Sequence, residues 1–205
     1  MNAEETRQSM LAVAEAVIAA EPLLTDADRA IGDGDHGIGM RRGFLGVQEK
    51  LKAETPETPG AVLKVTGMAL LSKTGGAAGA VFGSFFRAGG LALGDAEEID
   101  AEGFRAFLAA GRDTVMKRGG AAEGDKTMLD ALAGALSACA EAQDLRGALA
   151  AAAEGARQGA EATKTMVARF GKAKTLGERA IGHPDPGALS LAIMLQAWHE
   201  SADHG

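Results

Sequence analysis

The chain has 205 residues at 20.8 kDa, of which 44 are Ala and 29 Gly, with seven Phe, one Trp and no Tyr. This composition favours helices over sheets, and 46% hydrophobic residues exclude a disordered chain. A net charge of −7 without any cluster of Lys and Arg excludes an electrostatic footprint for nucleic acid, and no apolar run approaches the ~20 residues of a membrane span. The polar start MNAEETRQ does not read as a signal peptide, and the single Cys139 suits a reducing cytoplasm.

Eight helices are predicted in chain order, within a single domain covering 1–205. The first is Ala3–Ala20, with Met10, Val13, Val17 and Leu24 spaced for one face. Ile38–Lys52, Ala61–Lys73 and the Gly-rich Ala78–Leu93 follow. Ala101–Lys117 places Phe104, Phe107, Leu108, Gly111 and Val115 on one stripe, and Thr127–Cys139 repeats the pattern with Met128, Leu129, Leu132, Leu136 and Cys139. Leu145–Val167 is dominated by Ala, and Gly187–Ser201 is apolar on more than one side. Few runs alternate with period two, so an all-α, antiparallel, up-and-down helical bundle is expected.

Four connections are rich in Gly, Asp, Lys, Thr and His: Ile31–Gly39, Thr74–Gly79, Arg118–Met128 and Gly171–Gly187. They follow the first, third, fifth and seventh predicted helices. Alternate connections of an up-and-down bundle lie at one end, so all four should meet at one mouth. The first loop carries Asp28, Asp33 and Asp35 between glycines, and carboxylates this dense repel one another unless a cation sits among them. A calcium loop is ruled out by Gly37 at the fifth position from Asp33, whereas Mg²⁺ is held by a few carboxylates, water and substrate phosphates. The run Gly32-Asp-Gly34-Asp-His-Gly37 also matches G-x-G-x-x-G. Helical flanks and two Asp where a pyrophosphate would approach exclude a dinucleotide fold.

In the second loop, Gly75 and Gly76 open a helix, so free backbone N–H groups there suit an anion. In the third, Asp125 is read as a helix N-cap, with Lys126 and Thr127 available to a ligand. No nucleophile stands out. A carboxylate–metal cluster facing a glycine-rich anion nest suits a Mg²⁺–nucleotide, and phosphoryl transfer needs mainly positioning and charge neutralisation.

Four ordered motifs then carry a family resemblance. They are Gly32-Asp-Gly-Asp-His-Gly37 with Met40 and Gly43-Phe44, Gly75-Gly-Ala77 with Gly79 and Gly83, Gly124-Asp-Lys-Thr-Met-Leu-Asp130, and Gly182-His-Pro-Asp-Pro-Gly187. Together they resemble the nucleotide-binding L subunit of the dihydroxyacetone kinases over nearly the whole chain. The resemblance implies a barrel of eight antiparallel helices with the site at one end. It implies that Asp28, Asp33 and Asp35 hold Mg²⁺, as two ions, against the phosphates of ADP or ATP. It further implies that His36, Gly37, Ile38 and Gly39 lie at the nucleotide and that Gly76, Ala77 and Ala78 contact its phosphates. Gly119 and Met128 would wall the base pocket, and Asp185, Pro186 and Gly187 would cap it. Lys172 would also lie at the nucleotide, at a position where the family often has Arg, while Gly39 stands where it often has Asn and Ala78 where it often has Ser. Each side-chain donor lost at Gly39 and Ala78 weakens nucleotide retention by roughly 1–2 kcal/mol.

By the same resemblance the chain supplies a phosphoryl group to a short keto-sugar, dihydroxyacetone or a relative such as erythrulose, bound on a separate K subunit. It is active only with that partner. The nucleotide is either ADP recharged in place by a phosphohistidine M subunit or freely exchanging ATP. A nucleotide-dependent adaptor without turnover is the alternative, and a Mg²⁺-dependent hydrolase using His36 is the weaker third. A homodimer, or a central pocket for a lipid-like molecule, would each use the surplus of small and aliphatic residues.

Overall fold

The computed structural model describes residues 1–202. Among them are nine α-helices and no strand: α1 (Ala3–Ala19), α2 (Glu21–Ile31), α3 (His36–Ala53), α4 (Pro59–Lys73), α5 (Gly76–Ala92), α6 (Ala101–Gly119), α7 (Met128–Ala138), α8 (Leu145–Ala162) and α9 (Pro186–Ala202). Two 3-10 segments, Thr163–Thr165 and Lys172–Ala180, lie between α8 and α9.

The all-helical architecture agrees with the composition, and two boundaries correct the expected eight helices. Pro22 does not end the first helix. It sits in the first turn of α2, while the bonds from Ala20 N to Ala16 O and from Leu24 N to Ala20 O carry the helical path through the junction. Proline in a first turn removes a donor that would have no intrahelical partner there, so it is tolerated. The added helix buries Leu24, Thr25, Asp28 and Ile31, so Asp28 belongs to a helix and not to a loop. At the other end, α8 stops at Ala162 instead of Val167. There the Thr163 hydroxyl donates to Ala160 O at 2.5 Å, and Thr163 O is taken by the Lys126 ammonium at 2.6 Å.

Local chemistry sets most helix starts. Asn2 and Glu5 form a capping box at α1, Thr58 caps α4, Asp100 caps α6 and Asp144 caps α8. The third-loop expectation needs correcting in the same terms. Thr127, not Asp125, is the N-cap of α7, with Asp130 closing a capping box through Thr127 N at 2.7 Å.

The helix pairings run round a circuit: α1 on α3, α3 on α4, α4 on α5, α5 on α6, α7 on α8, α8 on α9 and α9 back on α1, with α6 meeting both α7 and α8. The apolar surplus fills the interior where α5, α6 and α9 meet. Ring centroids lie 5.1 Å apart for Phe85 and Phe107, 5.3 Å for Phe107 and Trp198, and 5.4 Å for Phe104 and Trp198. Small residues make this possible. A Cβ on Gly111 would stand 2.3 Å from the Phe85 ring, and one on Gly155 would stand 2.2 Å from the Gly134 carbonyl across the α7–α8 contact.

Candidate metal and anion site

All four polar connections line one pocket of about 590 Å³. Most of the residues singled out from the sequence border it: Asp28, Asp33, Asp35, His36, Ile38, Gly39, Gly76, Ala77, Ala78, Gly119, Met128, Lys172, Asp185, Pro186 and Gly187, whereas Gly37, Asp125 and Lys126 are buried and do not line it.

The acidic wall is built by the end of α2 and the turn into α3. Asp28 is only 8% exposed, on the buried face of α2, and accepts a bond from His36 N at 3.1 Å. Gly34, at φ +77°, lets the chain reverse so that Asp33 and Asp35 come back over Asp28. One oxygen from each of the three carboxylates lies within 4.8 Å of the others. The Lys172 ammonium hydrogen-bonds Asp33 and lies 3.6 Å from Asp35 Oδ2. Lys172 accordingly holds the Asp33 carboxyl below its ordinary range, and Asp33 raises the Lys172 ammonium in return. Clustered hard oxygen donors of this kind fit Mg²⁺.

His36 opens α3 between this cluster and α9. Its Nε2 lies 2.8 Å from Ser190 Oγ, and Ser190 Oγ donates to Pro186 O at 2.9 Å. The two contacts are compatible when the serine hydroxyl donates to Pro186 O and accepts from an Nε2-protonated imidazole. Burial pushes the His36 pKa down, against the opposing pull of Asp28 and Asp35.

Opposite stands the start of α5. Gly75 and Gly76 are left-handed, at φ +78° and +58°, and no side chain caps the helix. The first-turn N–H groups of Gly76, Ala77 and Ala78 thus have no intrahelical acceptor, which makes this end of a 17-residue helix receptive to an anion. Arg42 secures the turn before it, donating from Nε to Lys73 O at 2.7 Å and from Nη2 to Thr74 O. The rest of the pocket is apolar, with Val81, Phe82, Val115, Met128 and Leu129 on its wall and Pro186 at its rim.

Lys126 does not face a ligand. It is 1% exposed, at φ +61°, and its ammonium donates to Thr163 O at 2.6 Å, Ala180 O at 3.0 Å and His183 O at 2.6 Å. It ties the third loop to the fourth. Thr127 does border the pocket while capping α7. Asp185 caps α9 by accepting from Ala188 N at 2.8 Å, and burial, aided by Asp130, raises its pKa to about 7. His183 is exposed and does not line the pocket, and its carbonyl accepts from Lys126.

Sequence reasoning missed Arg42, Phe82, Val115 and Ser190. Phe82 and Val115 were legible as helix-face residues, but nothing marked which end of the stripe would open on a pocket. Arg42 lies one turn after Ile38, a spacing that could have placed it on the same wall. Ser190 had no local signal.

Residues 30–200 match the family model of the DAK2 domain. The chain is 44% identical over 177 residues to the ADP-binding subunit DhaL of the PEP-dependent dihydroxyacetone kinase of Escherichia coli, covering 84% of each chain. It is 37% identical over 177 residues to the L-erythrulose 1-kinase of Mycolicibacterium smegmatis, covering 84% of this chain and 31% of that one. The crystal structure of the dihydroxyacetone kinase from C. freundii in complex with AMP-PNP and Mg²⁺ superposes with a TM-score of 0.74 at 29% identity, covering 98% of this chain and 34% of that one. The chain thus spans about a third of those two longer proteins and most of the bacterial subunit.

Proposed function

The chain belongs to the DAK2 domain family, and on that premise we propose that it is the nucleotide-binding, phosphoryl-supplying subunit of a kinase for short keto-sugars. One observation carries the reading: three carboxylates within 4.8 Å of one another share a pocket with the uncapped start of α5.

In this reading Asp28, Asp33 and Asp35 hold Mg²⁺, as two ions, and the N–H groups of Gly76, Ala77 and Ala78 hold phosphate oxygens. When bound, Mg²⁺ neutralises charge on the phosphates and polarises the phosphoryl group in transfer. His36, Gly37, Ile38 and Gly39 line the phosphate side. The base lies between Gly119 and Met128 on the apolar wall, under the turn Asp185-Pro186-Gly187. No side chain of this site is a nucleophile, so the chain positions and neutralises while the acceptor sugar arrives on a K-type partner. The relatives act on dihydroxyacetone and on erythrulose by name, which supports the keto-sugar class. A phosphohistidine M-type partner that recharges ADP is the companion expected from the E. coli relative, and a cytoplasmic setting suits the buried free thiol of Cys139. None of the described helices is long and apolar enough to cross a membrane.

The test is to denature freshly purified protein, identify any released nucleotide, and titrate the remainder with ADP and ATP in the presence of Mg²⁺. Bound ADP indicates recharging in place, and an empty site that exchanges ATP indicates an ATP-dependent kinase. Asp33→Ala is expected to abolish Mg²⁺–nucleotide binding while the helical circular-dichroism signal stays unchanged, because Asp33 is an exposed turn residue. Wild-type affinity in that variant would refute the metal assignment.

A further inference from the structure

Among the ion pairs of the described residues Lys172 is the only cation paired with any of the three carboxylates, touching Asp33 and Asp35, and it comes from far along the chain, 139 residues after Asp33. Its position is set by the 3-10 segment Lys172–Ala180, which packs on α2 through a small apolar cluster. Ala173 and Leu176 lie against Ile31, Ala168 and Ala180, so the backbone of Lys172 is held beside the last turn of α2, three residues from Asp28. The side chain itself is 58% exposed, as are Asp33 at 49% and Asp35 at 75%, so the ammonium can leave by rotation alone. Asp28, its third anionic neighbour, is buried and cannot turn away.

A site built from three carboxylates and one ammonium faces a conflict when a divalent cation enters. The metal and the ammonium seek the same oxygens and repel each other. A nucleotide resolves the conflict, because its phosphates give the ammonium a new anionic partner within reach of the same lysine stem.

We propose that Lys172 is the internal counter-ion of the metal site, holding the cation's place between Asp33 and Asp35 until a metal–nucleotide complex displaces it onto the phosphates. The inference rests on the reading of Asp28, Asp33 and Asp35 as metal ligands. It makes the lysine a coupling device: metal alone binds against it, metal with nucleotide binds with it, and the two ligands become cooperative through one side chain.

The probe is Mn²⁺, counted by electron paramagnetic resonance in full-length protein, first alone and then with ADP. Lys172→Met should bind Mn²⁺ alone about three- to fivefold more tightly than wild type, the scale of an exposed ion pair. That gain should shrink in high salt, where exposed pairs are screened. With ADP present the order should reverse, the variant binding Mn²⁺ more weakly, and Lys172→Arg should restore the wild-type pattern. A merely structural lysine would lower both affinities together and would not respond to salt. If Lys172→Met leaves Mn²⁺ affinity without nucleotide unchanged or lower, the counter-ion role is overturned while the metal site stands. If wild type binds no Mn²⁺ in either condition, or Asp33→Asn binds it as well as wild type, the metal reading falls and the inference with it.

Discussion

Asp185 is a carboxyl group with two tasks that pull against each other. As the N-cap of α9 it accepts the Ala188 N–H and is favoured as an anion there, yet burial and the nearby Asp130 raise its pKa to about 7. In the unfolded chain the same group titrates near ~4. From about pH 4 to about pH 7 the folded protein therefore holds a proton that the unfolded chain has released, and stability falls as pH rises through that window. Asp185→Asn keeps a good N-cap and removes the titration. Urea unfolding at pH 5 and pH 8 should show the variant losing less stability than wild type between the two, by roughly 1–2 kcal/mol. Equal losses would show that the group titrates normally. Lys126 teaches the complementary lesson about reading residues. The run Gly-Asp-Lys-Thr looked like a ligand loop because lysine is usually exposed. Its three carbonyl partners lie 37, 54 and 57 residues away, beyond any local pattern.

At the level of elements, the metal wall depends on how closely α3 can lie against α2. A Cβ on Gly37 would stand 2.3 Å from Thr25 Oγ1 and 2.4 Å from Glu21 O, both on α2. Glu21 O is backbone and cannot yield by changing a rotamer. Gly37→Ala must push the two helices apart, at a cost of roughly 1–3 kcal/mol as in other overpacked sites. The push also moves Asp28, carried on α2, away from Asp35 and His36 at the head of α3. We expect a lower unfolding midpoint together with weaker Mn²⁺ binding. A loss of stability with unchanged metal affinity would mean that the turn Gly32–Asp35 absorbs the shift. This contact also marks how far the sequence could be read. The stripe Phe104, Phe107, Leu108, Gly111 and Val115 was legible because one face of α6 is buried along its length. The helix α2 was not, because the predicted first helix ends at Ala20 with Leu24 assigned to its face, and a proline in a first turn differs from one that breaks a helix only by the bonds continuing around it. The segment Lys172–Ala180 is held by Ile31 and by the Lys126 bond to Ala180 O, again contacts without a local signature.

For the whole molecule, the parity of an up-and-down bundle predicted that the four polar loops meet at one end, and they do line one pocket despite the added helix. The reason lies in α2, which packs along α3, scarcely touches α1 and continues the path of α1 through Ala20, so no direction is reversed. The pocket therefore joins segments that are otherwise far apart in the chain: the α2–α3 turn, the start of α5, the α6–α7 connection and the α9 cap. A ligand that touches all four adds its binding free energy to the fold as a unit. With Mg²⁺–ADP at about 100 times its dissociation constant, linkage contributes about 2.7 kcal/mol. For a chain of this length each kcal/mol is worth about 2–4 °C, so the unfolding midpoint should rise by roughly 5–10 °C. The same ADP with excess chelator should give a much smaller rise, because the carboxylate wall then faces the phosphates without a cation and repels them. Asp33→Ala should behave with Mg²⁺ as wild type does with chelator. A full rise in chelator would place the binding energy on the apolar wall and the α5 start alone, and would leave the three carboxylates without a part in holding the nucleotide.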